Sequence, residues 1–171
     1  MSLREILFAK RSNIIRQWFD EILSSYPSDT VRFLKSQKDP FSNPVGNTIR
    51  QGIEDLFNGL IGVEPVSGLT PFLDNIIRIR AVQDFTPSQA VSFIFGLKNI
   101  LREELKDELR NGLSQEYMDF ENRIDDLVLQ SFDLFIQCRE KIYELKAKEV
   151  KDMTFKLLER AKIICGVQNN Q

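Results

Sequence analysis

Histidine is missing altogether from the 171-residue chain. Its absence removes the imidazole general base, the common haem ligand, the usual zinc sites and the phosphoacceptor of a histidine-kinase relay. Cysteine is scarce. Cys138 and Cys165 are the two present, too few for a cysteine-only zinc site. On one helix they would stand about 40 Å apart and could not pair within it. Cys138 reads as a buried thiol, and Cys165, near the tail, as exposed and open to cross-linking or oxidation. An excess of basic charge is also lacking. Lys plus Arg is 23 against 25 Asp plus Glu, a net charge of −2, which argues against a nucleic-acid partner. No apolar run approaches the roughly 20 residues that cross a bilayer, and the first residues carry no signal-peptide core. A cytoplasmic protein without membrane insertion is expected. There is no glycine-rich phosphate loop, because Gly59 to Gly62 has neither a basic residue nor strand context. Without histidine, no serine or cysteine has an obvious base. The acidic pairs Glu54-Asp55, Glu103-Glu104 and Asp125-Asp126 point about 100° apart on a helix and read as solvated surface. No catalytic residue, no metal and no cofactor is assigned.

Helical periodicity is abundant. The stretch Thr70 to Leu109 reads as two helices meeting at a corner, Asp84-Phe85-Thr86-Pro87. The second opens with Ala90, Val91, Phe93, Ile94, Phe95 and Leu97, apolar on every side, and is expected at the centre of the fold. Gly96 inside it predicts a close helix crossing. Thr86 and Gln89 form a capping box, and Thr70-Pro71 repeats the cap-and-proline device. Leu3 to Ser25 is helical, with a possible break at Arg11-Ser12-Asn13 and a stop at Tyr26-Pro27. A short helix carries Val31, Phe33 and Leu34. The segment from Asp39 to Gly46 reads as a corner that Phe41 and Val45 could plug into the core. A third helix starts at Asn47 or Thr48, with Ile49, Ile53, Leu56, Phe57 and Leu60 on one face. A sixth helix runs from Ser114 to about Cys165. It must bend back, break near Lys146 to Glu149, or project, since about 50 helical residues span about 75 Å. If it projects, the stripe Met153, Leu157, Ala161 and Ile164 needs a partner. A parallel homodimer coil is the simplest supply.

Arg78 and Arg80 alternate with Ile77, Ile79 and Val82, so at least one guanidinium should lie among apolar groups. Asp84 follows Arg80 by four residues. The pair reads either as a helix-corner salt bridge or as part of an anion-holding or signal-sensing site. Trp18 lies on the apolar stripe of the first helix, as core packing or as a ligand-stacking ring. Trp18, Arg80, Asp84 and Phe93 are the candidate ligand or signal pocket.

The strings Lys38-Asp39-Pro40-Phe41-Ser42-Asn43-Pro44-Val45-Gly46 and Ile79-Arg80-Ala81-Val82-Gln83-Asp84-Phe85-Thr86-Pro87-Ser88-Gln89-Ala90-Val91 carry a resemblance. Asn13 to Trp18, Tyr26-Pro27 and Phe33-Leu34 add to it. Over roughly residues 12 to 105 the chain resembles the RsbT co-antagonist (RsbR-type) N-terminal sensory domain family. The resemblance implies a bacterial, stressosome-like input module, all-α and globin-like without haem, that forms dimers. In full-length relatives such a module precedes a STAS output domain. Nothing of that size follows residue 171, so output is expected by contact with another protein. The expectation is therefore an all-α, globin-like (non-haem) six-helix bundle with a long C-terminal helix. Its core would span about 12–145 and its helical extension about 146–165. The function expected is non-enzymatic signalling. The alternative is a carrier holding an apolar ligand among Trp18, Phe57, Phe93 and Phe95.

Overall fold

The computed structural model describes residues 2–36, 39, 41–62, 64–110 and 113–168, except the side chains of 114 and 162–168. Among the described residues all regular structure is helical. The helices are α1 (Leu3–Ser24), α2 (Ser28–Ser36), α3 (Pro44–Gly62), α4 (Thr70–Ala81), α5 (Pro87–Glu104), α6 (Lys106–Arg110) and α7 (Ser114–Gln168), with a 3-10 turn at Val66–Leu69 before α4. The chain divides into two compact units, Met1–Ile136 and Gln137–Gln171.

In the first unit α3 packs on α4, α1 on both α3 and α5, and α4 on α5. The core is the set of apolar faces these helices share. Trp18, Ile22, Ile53, Phe57, Ile76, Ile77, Ile94 and Leu97 are wholly buried. Burying a large apolar side chain contributes about 1.5–3 kcal/mol, so these faces hold the bundle together. Two glycines permit the crossings. A Cβ at Gly52 would stand 2.9 Å from the Ile76 side chain of α4, and one at Gly96 2.6 Å from Glu21 Cγ of α1.

The Thr86–Gln89 capping box is present. Thr86 Oγ1 accepts from the Gln89 N–H at 3.3 Å, and Gln89 Oε1 from the Thr86 N–H at 3.0 Å. Other boundaries differ from the expectation. α1 passes through Arg11-Ser12-Asn13 unbroken, because Arg11 and Asn13 find partners across the bundle. Arg11 bonds Asn58, and Asn13 with Gln17 bonds the Glu104 carboxylate. Thr70 is already helical. Its hydroxyl donates back to the Ser67 carbonyl rather than capping. α3 starts earlier than expected, at Pro44. Asn43 caps it, accepting from the Gly46 N–H at 2.9 Å and donating to the Leu34 carbonyl at 3.0 Å. That buried amide plugs the corner. Phe41 is 95% exposed, and Val45 is half-buried. The expected fifth helix is divided at Leu105, whose backbone (φ −106°, ψ 12°) leaves the helical region, and its end becomes α6. Phe95 is 48% exposed, so α5 is not enclosed on every side.

Three polar links tie the first part of α7 to α5. Lys98 meets Asp125 at 2.9 Å, Arg102 meets Glu121 at 2.9 Å, and the Tyr117 hydroxyl lies 3.5 Å from the Lys98 carbonyl. Burial, reinforced by Glu121, raises the Tyr117 pKa, so the phenol stays protonated. Beneath these links Tyr117, Phe120, Ile124, Leu127 and Phe135 are buried.

The second unit is helical from 137 to 168, with no break at Lys146 to Glu149. Cys138 is half-buried, not buried. Every residue from Tyr143 to Ala161 is exposed. The side chain of Cys165 lies outside the described residues.

Candidate functional site

Arg80 sits in the last turn of α4, a position that favours a cation. Helical periodicity turns it inward beside Ile76 and Ile77, and it is 0% exposed. Its guanidinium carbon lies 4.2 Å from the Phe85 ring centroid, 5.6 Å from Phe93 and 5.8 Å from Tyr26. Nη2 donates to the Gln89 carbonyl at 3.0 Å and to Ser25 Oγ at 3.2 Å. Nε and Nη1 have no partner. Among the described residues no carboxylate lies within ion-pair distance of Arg80. Burial lowers its pKa, and the neighbouring Tyr26 opposes that shift. An arginine starts so high that it keeps its charge.

Asp84 does not pair with Arg80. α4 ends at Ala81, so Asp84 falls in the following turn, where the four-residue helical spacing no longer applies, and it is exposed. Trp18 and Phe93 do come together. Their rings stack at 6.1 Å with 26° between planes, and Trp18 Nε1 donates to the Phe93 carbonyl at 2.7 Å. Of the four expected pocket residues, three thus form one cluster, with Arg80 against Phe93 and Phe93 against Trp18.

The sequence reading missed the cover of this cluster. Tyr26, from the turn between α1 and α2, meets Phe85, from the α4–α5 corner, edge to face at 5.6 Å. The Tyr26 hydroxyl donates to Gln83 Oε1 at 3.0 Å. Burial raises the Tyr26 pKa against the pull of the Arg80 charge. Both rings sit in segments marked for turns by Pro27 and Pro87. A pairing between such turns is set by tertiary packing, not by spacing.

A groove of about 240 Å³ lies elsewhere in the first unit. Leu3, Leu7, Leu60, Ile61 and Phe120 line it, with Arg4, Glu116, Asp119 and Arg123 also contributing. Arg123 donates to the carbonyls of Leu60 and Glu64 at the end of α3, and Glu116 accepts from the Leu3 N–H at 2.8 Å. Trp18, Phe57, Phe93 and Phe95 do not line this groove.

In the second unit, Met153 and Leu157 are exposed large apolar residues, at 58% and 62%, and Ala161 is exposed. The side chain of Ile164 lies outside the described residues. Tyr143 and Val150 precede Met153 and Leu157 at seven- and three-residue steps and are also exposed. Among the described residues no group of His, Cys, Asp or Glu could hold a metal ion, and no helix is long and apolar enough to cross a membrane.

Fold and cluster together define an all-helical domain with a buried cation beneath an aromatic cover. The chain belongs to the family described as the RsbT co-antagonist protein rsbRD N-terminal domain, which matches residues 12–150. Membership supports a regulatory, sensor-domain role. The chain is also similar to an uncharacterized protein of Archaeoglobus fulgidus, 25% identical over 140 residues that cover 81% of this chain and 83% of that one. No solved structure matches it.

Proposed function

We propose that the chain is a non-enzymatic sensory module that reports by protein–protein contact, with a second copy of itself as the first partner. The observation that carries this reading is the exposed run Tyr143, Val150, Met153 and Leu157. Val150, Met153 and Leu157 follow at three- and four-residue steps and Tyr143 lies one heptad before Val150, with Lys146 at the seam position between and Lys148, Glu149, Lys151 and Asp152 on the flanks. Such a stripe is stable in water when a parallel helix covers it. The signal side is the cluster of Trp18, Arg80 and Phe93. A ligand with unequal affinity for two packings of α4 and α5 would bias α7, which is one helix from Ser114 to Gln168.

The test is light scattering and circular dichroism on the full chain and on the double variant Val150→Glu, Leu157→Glu. The wild type is expected to be a dimer and the variant a monomer with lower helicity. Equal mass for the two would overturn the contact.

The groove of about 240 Å³ favours a second reading, a carrier for an apolar ligand. Native mass spectrometry of freshly purified protein separates the two. A stoichiometric bound small molecule that Leu7→Trp displaces supports the carrier, and its absence removes that reading.

A further inference from the structure

Arginine carries five N–H donors. In Arg80 the two on Nη2 are taken by Gln89 and Ser25, and the three on Nε and Nη1 are unpartnered with the side chain fully buried. A buried donor left unmade costs about 1–3 kcal/mol, more when it belongs to a charge. Native proteins rarely leave such groups without an explanation such as a bound water or ion.

The surroundings compensate the charge only in part: the end of α4 favours a cation and two oxygens meet Nη2, but nothing meets Nε or Nη1. The guanidinium touches the Gln89 carbonyl in the first turn of α5. The N-terminal end of a helix favours an anion and disfavours a cation. The three rings attract the cation, and the Tyr26 side chain also interacts with it, yet Nε and Nη1 keep no hydrogen-bond partner. The donors on Nε and Nη1 are therefore left to offer to an oxyanion.

We propose that Arg80 is the anchor of a binding site for a small monocarboxylate, received beneath the Tyr26–Phe85 cover. Two features select this class. One arginine charge balances one negative charge, and Nε–H with the two N–H groups of Nη1 remain as donors to carboxylate oxygen. The walls, Phe85, Phe93 and Tyr26, suit an apolar body attached to that carboxylate. Entry requires the two rings to part. They sit on separate turns and are both partly exposed, so the cover can open without unfolding a helix. The inference rests on the sensory reading for its purpose, but its test does not depend on what α7 touches.

Trp18 provides the readout. It is the chain's single tryptophan and stacks on Phe93, itself against Arg80. Its fluorescence is to be titrated in the full chain at constant ionic strength with benzoate, acetate and inorganic phosphate. The expected result is a saturable change with benzoate, weaker with acetate and absent with phosphate. Arg80→Lys keeps the charge but loses the donors of Nε and Nη1, and should weaken benzoate by about 10- to 100-fold, the equivalent of one charged hydrogen bond. Arg80→Met should abolish the response. A response to phosphate alone, no saturable response to any of the three, or an unchanged benzoate response in Arg80→Lys would each overturn the proposal. The Val150→Glu, Leu157→Glu variant should bind benzoate as the wild type does, so failure of the site and failure of the contact are read apart.

Discussion

Two arginines in the first unit stand at helix ends and lead different lives. Arg123, on α7, reaches the end of α3 and gives both ends of its fork to carbonyls, those of Leu60 and Glu64. Arg80, at the end of α4, is buried more deeply and keeps Nε and Nη1 empty. Burial lowers the pKa of both. The difference is what compensates the cation. Around Arg123 it is the carbonyl end of a helix, which a cation satisfies. Around Arg80 it is the end of α4, three rings and two oxygens on Nη2, which leave Nε and Nη1 unmet. An arginine that closes a helix end is a structural clamp. One held charged without a counter-ion is a receptor in waiting.

Removing the packing behind the Arg80 cluster should have the largest effect. Trp18 is wholly buried and holds Phe93 through a stack and a hydrogen bond. Trp18→Ala should cost about 3–5 kcal/mol in urea unfolding, the range for emptying such a site. The contrast itself is tested by Arg123→Met, which takes the donor from the part-buried Leu60 carbonyl and should cost about 1–2 kcal/mol. Thr86→Ala removes one half of the capping box beside Arg80 and should cost about 1 kcal/mol. Arg80→Met should lie within about 1 kcal/mol of the wild type, or above it, since losing an uncompensated buried charge is often neutral or stabilising. Its former partners keep other bonds. The Gln89 carbonyl still accepts from Ser92 Oγ, and Ser25 Oγ still donates to the Ile22 carbonyl.

The smallest effect belongs to Glu108. Its hydrogen bond with Lys10 holds the carboxyl below the ordinary glutamate range. A carboxyl with a depressed folded pKa contributes stability that is present above its unfolded value and lost as pH falls through the folded one. Unfolding midpoints of the wild type and Glu108→Gln should therefore differ slightly at neutral pH and converge in acid.

What was legible in the chain was local. Thr86 and Gln89 are three residues apart and make their box with their own backbone, so the letters sufficed. Trp18 on an apolar stripe declared its burial in the same way. Arg80 and Asp84 looked like a pair because helical spacing was extended past Ala81, where the chain turns. Asn43 and Phe41 show the same limit. Both lie in one turn-rich corner, and only the carbonyl of Leu34, nine residues upstream, decides that the amide goes inside and the ring outside. The Tyr26–Phe85 cover joins turns some sixty residues apart, beyond the reach of any periodicity. Along α7 the charge-rich run from Glu144 to Asp152 marked where burial ceases, but the letters did not fix that the helix continues through it.

Urea unfolding of the full chain with and without benzoate, for the wild type and Arg80→Met, weighs the receptor account most directly. A ligand that binds only the folded state adds about 2.7 kcal/mol at 100 times its Kd. The account predicts a benzoate-dependent gain in the wild type alone, with the variant no less stable than the wild type when benzoate is absent. A variant that is several kcal/mol weaker, together with a wild type indifferent to benzoate, would make Arg80 a second clamp like Arg123 and contradict the account.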